Sequence, residues 1–143
     1  MTKDGRIPLV RQYRPAIEEF TFEFPGGIID TAEDAEATAV RELLEETGFR
    51  TRFAHLLGVK TNDAGRLGNR VYSYFIEIED RTPGFKPEEG VAIELVTVPQ
   101  LAGMIVNGGF DAQAHLGTVT LAALHGYIEI SKNALSSQTP RGD

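Results

Sequence analysis

Glu42, Glu45 and Glu46 stand at spacings of i, i+3 and i+4, with Arg41 directly before them and Glu33 upstream. On an α-helix, at about 100° per residue, acids so spaced share one side. Like charges at these spacings cost a bare helix roughly 0.2–0.5 kcal/mol per pair. A solvated helix usually intersperses lysines, and this stretch has none. Clustered carboxylates are hard oxygen ligands of the kind Mg²⁺ takes while keeping waters and accepting substrate phosphates. Gly26-Gly27 precedes the helix, so a backbone carbonyl there could reach the same ion. The ordinary alternative is a solvated acidic face.

The charge distribution sharpens the choice. From Gly27 to Phe49 there are seven acids (Asp30, Glu33, Asp34, Glu36, Glu42, Glu45, Glu46) and one base, Arg41. The whole 143-residue chain carries a formal net charge of −7, so most of its excess lies in this one segment. A chain this acidic lacks the basic field that phosphate backbones need, which argues against a nucleic-acid partner. With no cysteine there is no disulfide, no thiolate zinc site and no cysteine nucleophile. Met1 to Arg6 lacks a signal-peptide core, and no apolar run approaches the ~18 residues of a membrane span. A cytoplasmic protein without membrane association is expected.

Several elements must position these residues. Ile7–Gln12 reads as a first strand, and the alternation of Phe20, Phe22 and Phe24 with Thr21 and Glu23 as a second. Pro25-Gly26-Gly27 ends it. A helix is expected from Ala32 to Glu46, capped by Thr31 with Asp34 three residues on, and stopped by Gly48 with Phe49 packing back. Its apolar stripe is read as Val40, Leu44 and Ala37, extended by Ala35, Ala39 and Leu43. Strands follow at Thr51–Lys60, Arg70–Glu79 and Val91–Val98, separated by loops at Thr61–Asn69 and Arg81–Gly90. Pro99 opens a short helix that ends at Asn107-Gly108-Gly109. A last helix is expected from Ala112 to Ile130, with Leu116, Thr120, Ala123 and Tyr127 on one face. Residues 1–135 read as a single domain, and Ser136–Asp143 as a disordered polar tail. The interleaving implies an α/β fold, a sandwich around a mixed β-sheet.

The pattern Gly27, five residues, Glu33, seven residues, Arg41-Glu42-Leu43, one residue, Glu45-Glu46, one residue, Gly48-Phe49 resembles the Nudix box with every fixed position filled. The resemblance implies an α/β/α sandwich and metal-dependent hydrolysis of a nucleoside diphosphate linked to another moiety, with Mg²⁺ or Mn²⁺. Carried over by position, Glu42 and Glu46 would be metal ligands, Glu45 would be a ligand or hold one through water, and the Gly26 carbonyl would complete the metal shell. Arg41 would orient a carboxylate, with Glu33. Gly27 would permit the tight turn. In similar sugar-nucleotide enzymes a catalytic base often comes from a later loop, and Glu88 and Glu89 are the candidates here. Their other reading is an exposed charged turn.

Val10-Arg11-Gln12-Tyr13-Arg14-Pro15 and Glu23-Phe24-Pro25-Gly26-Gly27 look like the ADP-ribose pyrophosphatase branch. That likeness implies substrate contact by Arg14 and, less strongly, by Arg11, since a guanidinium fork binds phosphate oxygens in pairs. It also implies a homodimer. The chain departs from the branch in having only about six residues before its first strand and no proline between Pro25 and Pro83. Tyr72 and Tyr74 suit either base stacking or sheet packing. The expected substrate is a nucleotide sugar, ADP-ribose first, giving AMP and ribose 5-phosphate. The alternative is a nucleotide-sensing module on the same fold, and the intact glutamates weigh against it. His55, His115 and His125 have no carboxylate at metal-ligand spacing and read as ordinary surface or core residues.

Overall fold

The computed structural model describes residues 1–30 and 32–131. The elements are β1 (Arg6–Arg14), β2 (Glu19–Glu23), α1 (Ala35–Thr47), β3 (Phe49–Thr61), β4 (Arg70–Arg81), β5 (Ala92–Thr97), α2 (Val98–Val106) and α3 (Gln113–Leu124). The expected tail, Ser136–Asp143, lies outside the described residues. No helix among those described is long and apolar enough to cross a membrane.

Strands pair in two sheets, β2-β1-β5 and β3-β4. The α/β class expected from the sequence holds. The ladders, expected to be mixed, are all antiparallel among the described residues. In the β1-β2 and β3-β4 pairs, successive strands are joined by loops too short for the crossover a parallel pair requires. In the three-stranded sheet, Leu9 pairs with Glu94 and Val10 with Ile93.

Neighbouring strand residues point to opposite faces, and the core follows that rule. Leu9 and Val96 join Leu101, Phe110 and Val119 in one cluster beneath α2 and α3. Leu95, adjacent to Val96, packs instead with Leu43, Phe49 and Ile78 beneath α1. The β2-β1-β5 sheet is therefore covered by helices on both faces, as in a sandwich.

The ends of α1 matter most for the site. The cap expected at Thr31 lies outside the described residues; the N-cap is Asp34, whose side chain accepts the Ala37 N–H at 2.8 Å. Starting the helix there leaves Glu33 off the helix and free to fold back. Within one continuous helix, residues 33 and 41 would lie about 12 Å apart along the axis. At the other end Gly48 takes a left-handed φ of 73° and donates to the Leu44 carbonyl. A side chain there would collide with the Phe85 ring.

The apolar stripe differs from expectation. Leu44 is 42% exposed, and the buried positions of α1 are Thr38, Leu43 and Thr47. The seam is centred on Leu43 because Phe49 and Ile78 offer the apolar surface on that side. α3 also ends earlier than Ile130: His125 is its C-cap, Gly126 takes φ 78°, and Tyr127 leaves the helix to stack on Phe75 with ring centroids 4.4 Å apart. α2 opens on the capping box of Thr97 and Gln100, with Pro99 in the first turn, and is capped by Asn107 as expected.

Candidate active site

The shift of the α1 seam sorts the three glutamates. Measured from Leu43 at about 100° per residue, Glu46 lies about 60° away and Glu45 about 160° away. Glu46 therefore flanks the buried seam, whereas the Glu45 side chain is 57% exposed. Glu42 is the better shielded of the two that bond Arg41 through Nη1, at 16% exposure.

Glu42 and Glu46 meet the Pro25–Gly27 turn. The Gly26 N–H donates to Glu46 Oε2 at 3.0 Å. Gly27 lies so close to the Glu42 carboxylate that a Cβ would overlap it. Only glycine leaves that room. Burial pushes the Glu46 carboxyl up to about 6; nearby Glu42 and Glu23 add to this, and the Gly26 N–H opposes it.

Arg41 is the hub of the other carboxylates. Its Nε donates to Glu33 Oε1 at 3.0 Å, and its Nη2 to Glu33 Oε2 at 3.1 Å. Its Nη1 lies 2.8 Å from Glu45 and 3.0 Å from Glu42. Thr38 also donates to Glu33, at 2.9 Å. These bonds hold the Glu33 carboxyl below the usual carboxylate range and raise the guanidinium. Among the described residues no three carboxylate or imidazole groups are already gathered as a metal-binding cluster. The donor set is nonetheless all carboxylate and carbonyl oxygen beside a desolvated, crowded Glu46, which suits a hard divalent cation.

A cavity of about 550 Å³ opens beside this turn, walled by residues 23–29, the start of α1, residues 69–74 and one side of α3. Tyr72, Tyr74 and His115 line it. At its edge Arg14 donates Nε to Glu23 Oε1 at 2.7 Å, and Thr21 donates to the same oxygen at 2.6 Å. Arg14 is the main reason the Glu23 carboxyl is held below its ordinary range.

A sequence profile of the NUDIX domain matches residues 1–114. The chain belongs to the Nudix family. It is 33% identical over 116 residues to an ADP-sugar pyrophosphatase of Mus musculus, covering 77% of this chain and 53% of that protein. It is 33% identical over 104 residues to an ADP-ribose pyrophosphatase of Saccharomyces cerevisiae, covering 67% of this chain and 45% of that protein. The chain thus spans about half the length of these curated relatives. A solved structure described as an ADP compounds hydrolase superposes with a TM-score of 0.74 at 18% identity, over 87% of this chain and 70% of that one. That likeness shows the Nudix fold.

The Nudix box residues Gly27, Glu33, Arg41, Glu42, Glu45 and Glu46, with Gly26 beside them, are thus gathered around α1 and the turn that precedes it. The two strand arginines are not together. Three residues apart on β1, they face opposite ways: Arg14 turns to Glu23, while Arg11 lies over the Phe20 ring, 4.2 Å from its centroid. Glu88 and Glu89 are exposed in the β4–β5 loop, where the Glu88 carbonyl accepts the Val91 N–H. Neither side chain bonds to the Nudix carboxylates among the described residues.

Sequence reasoning set His115 aside, since nothing near it in the chain marks it. The fold brings its Nε2 to 3.9 Å from Glu23 Oε2, and its Nδ1 accepts the Phe24 N–H at 3.3 Å. Burial holds the ring below its ordinary pKa; Glu23 opposes this, and Arg14 adds to it. Glu23 was legible as the polar partner in an alternating strand and as the first residue of the run Glu23–Gly27, without a role of its own.

Proposed function

We propose that this chain hydrolyses the pyrophosphate bond of a nucleoside diphosphate linked to another moiety, with ADP-ribose as the leading substrate and AMP and ribose 5-phosphate as products. The observation that carries the reading is the pair of contacts at the turn before α1: Gly26 N–H on Glu46, and Gly27 against Glu42. The relatives' names support a nucleotide-sugar substrate.

A divalent cation, Mg²⁺ with Mn²⁺ as substitute, would be held by Glu42 and Glu46, with Glu45 and the Gly26 carbonyl as further ligands. When bound, such an ion neutralises phosphate charge and lowers the pKa of a coordinated water. The chain's own residues do the rest. Arg41 holds Glu33, Glu42 and Glu45 in fixed relation, so the carboxylates are oriented before substrate arrives. Arg14 offers a guanidinium to phosphate oxygens at the cavity edge. Glu88 and Glu89 remain the candidates for accepting the water's proton, through movement of their loop. Arg11 contributes less, being stacked on Phe20. A homodimer in the cytoplasm completes the proposal.

Incubation with ADP-ribose and Mg²⁺, followed by chromatography, tests it. AMP and ribose 5-phosphate in equal amounts are expected, formed far more slowly by Glu46→Gln at comparable enzyme. Binding of ADP-ribose without product under either metal would replace the enzyme by a nucleotide sensor.

A further inference from the structure

We propose that His115, in the first turn of α3, is a positioning residue that fastens the Phe24–Gly27 turn to the opposite helical layer and so holds the backbone that meets Glu42 and Glu46. Its kinetic consequences rest on the hydrolase reading; its effect on the turn does not.

Four observations converge. Nδ1 accepts the Phe24 N–H at 3.3 Å, a bond between residues 91 apart. That places the proton of the neutral ring on Nε2, facing Glu23 Oε2 at 3.9 Å. The ring packs edge-on against Phe24 and Phe110, with centroids 5.5 Å and 5.9 Å away, so its orientation is set by the core. Two residues on, Gly26 N–H reaches Glu46. Pro25 stands between these two anchored amides and restricts the backbone there. The turn is therefore pinned at Phe24 from α3 and at Gly26 from α1. Released from α3, the two glycines would regain freedom, and the approach of Gly27 to Glu42 would no longer be enforced. Glu23, already held by Arg14 and Thr21, receives a third neighbour from the same ring.

The test uses the full chain. Amide hydrogen exchange at Phe24 and Gly26 is followed by NMR without metal, and kcat and KM for ADP-ribose are measured with Mg²⁺. His115→Phe keeps the ring volume but has no acceptor. It is expected to speed exchange at Phe24 and Gly26 at least about tenfold, leave the core amides of β1 unchanged, and lower kcat about tenfold or more with KM little altered. His115→Asn, whose amide oxygen falls near the Nδ1 position, is expected to restore both. If the phenylalanine variant does not fold, His115→Gln, with its acceptor one bond too far along, carries the same expectation. Unchanged exchange at Phe24 and Gly26, acceleration spread over the whole chain, or a change confined to KM each overturns the proposal. If the wild type itself turns nothing over, the hydrolase reading fails, and the exchange rates alone decide the role of His115.

Discussion

Gly26 donates its backbone N–H to Glu46 Oε2 at 3.0 Å across 20 residues of sequence. The bond joins the turn after β2 to the last full turn of α1. It keeps one carboxylate of the Nudix box in a half-buried place where ionisation is opposed.

Replacing Glu46 by glutamine is expected to separate activity from stability. Turnover of ADP-ribose should fall about 10²–10³-fold, or roughly 3–4 kcal/mol of transition-state stabilisation. Stability at pH 7 should not fall. A carboxyl raised to about 6 in the fold binds more protons than the unfolded chain between the ordinary carboxyl value of 4.5 and that point, so its contribution worsens as pH rises through this window. The neutral amide escapes that penalty. Steady-state kinetics beside thermal melts of both proteins would show it, and unchanged turnover would remove Glu46 from the site.

Gly27→Ala is expected to act through Glu42 alone. The added methyl occupies the volume of that carboxylate, which must swing away. The Mg²⁺ concentration for half-maximal activity should rise about tenfold, while circular dichroism stays that of the wild type. An unshifted metal titration would mean that Glu42 does not serve the ion.

Arg41→Lys should not be conservative. One guanidinium reaches three carboxylates through three different nitrogens. A lysine ammonium is a point charge without that spread. A loss of about 10–100-fold in kcat/KM is expected, measured against a Glu33→Gln variant that removes only one partner.

The two β1 arginines make opposite predictions. Arg14→Ala should raise KM for ADP-ribose about tenfold, a little over 1 kcal/mol. Arg11→Ala, on the other face, should leave KM within about twofold. Equal effects would place the substrate somewhere other than the cavity beside Glu23.

His115 sets a pH dependence of its own. Its folded pKa lies below the ordinary histidine value, so the unfolded chain takes up the proton first as pH falls. Its contribution to stability is therefore present above the unfolded value, about 6.5, and is lost progressively below it. The wild-type melting temperature should fall relative to His115→Asn between pH 7 and pH 5. The difference between the two proteins isolates this from Glu46, whose sign is opposite. Parallel melting curves across that range would contradict it.

Much of the site was legible in the sequence because its signals are local. Gly48 after a helical run marks a left-handed cap, and the structure has it. The Glu33–Arg41 pairing was implied by the Nudix pattern, yet its geometry depends on Asp34 rather than Thr31 opening the helix. In the sequence Asp34 reads only as the partner of a cap at Thr31, and the local pattern did not show that the helix opens at Asp34 itself.

The order of strands and helices, the acidic α1 and its entering glycine turn were determined by the sequence itself, since helix periods, caps and turns depend on residues a few positions apart. Tertiary structure alone decided that Leu43 rather than Leu44 faces inward, that Glu46 is shielded and Glu45 is not, that Arg14 and not Arg11 bonds Glu23 at the cavity wall, and that His115 meets Glu23. Each of these follows from which apolar surface packs against which, and those surfaces come from segments far apart in the chain.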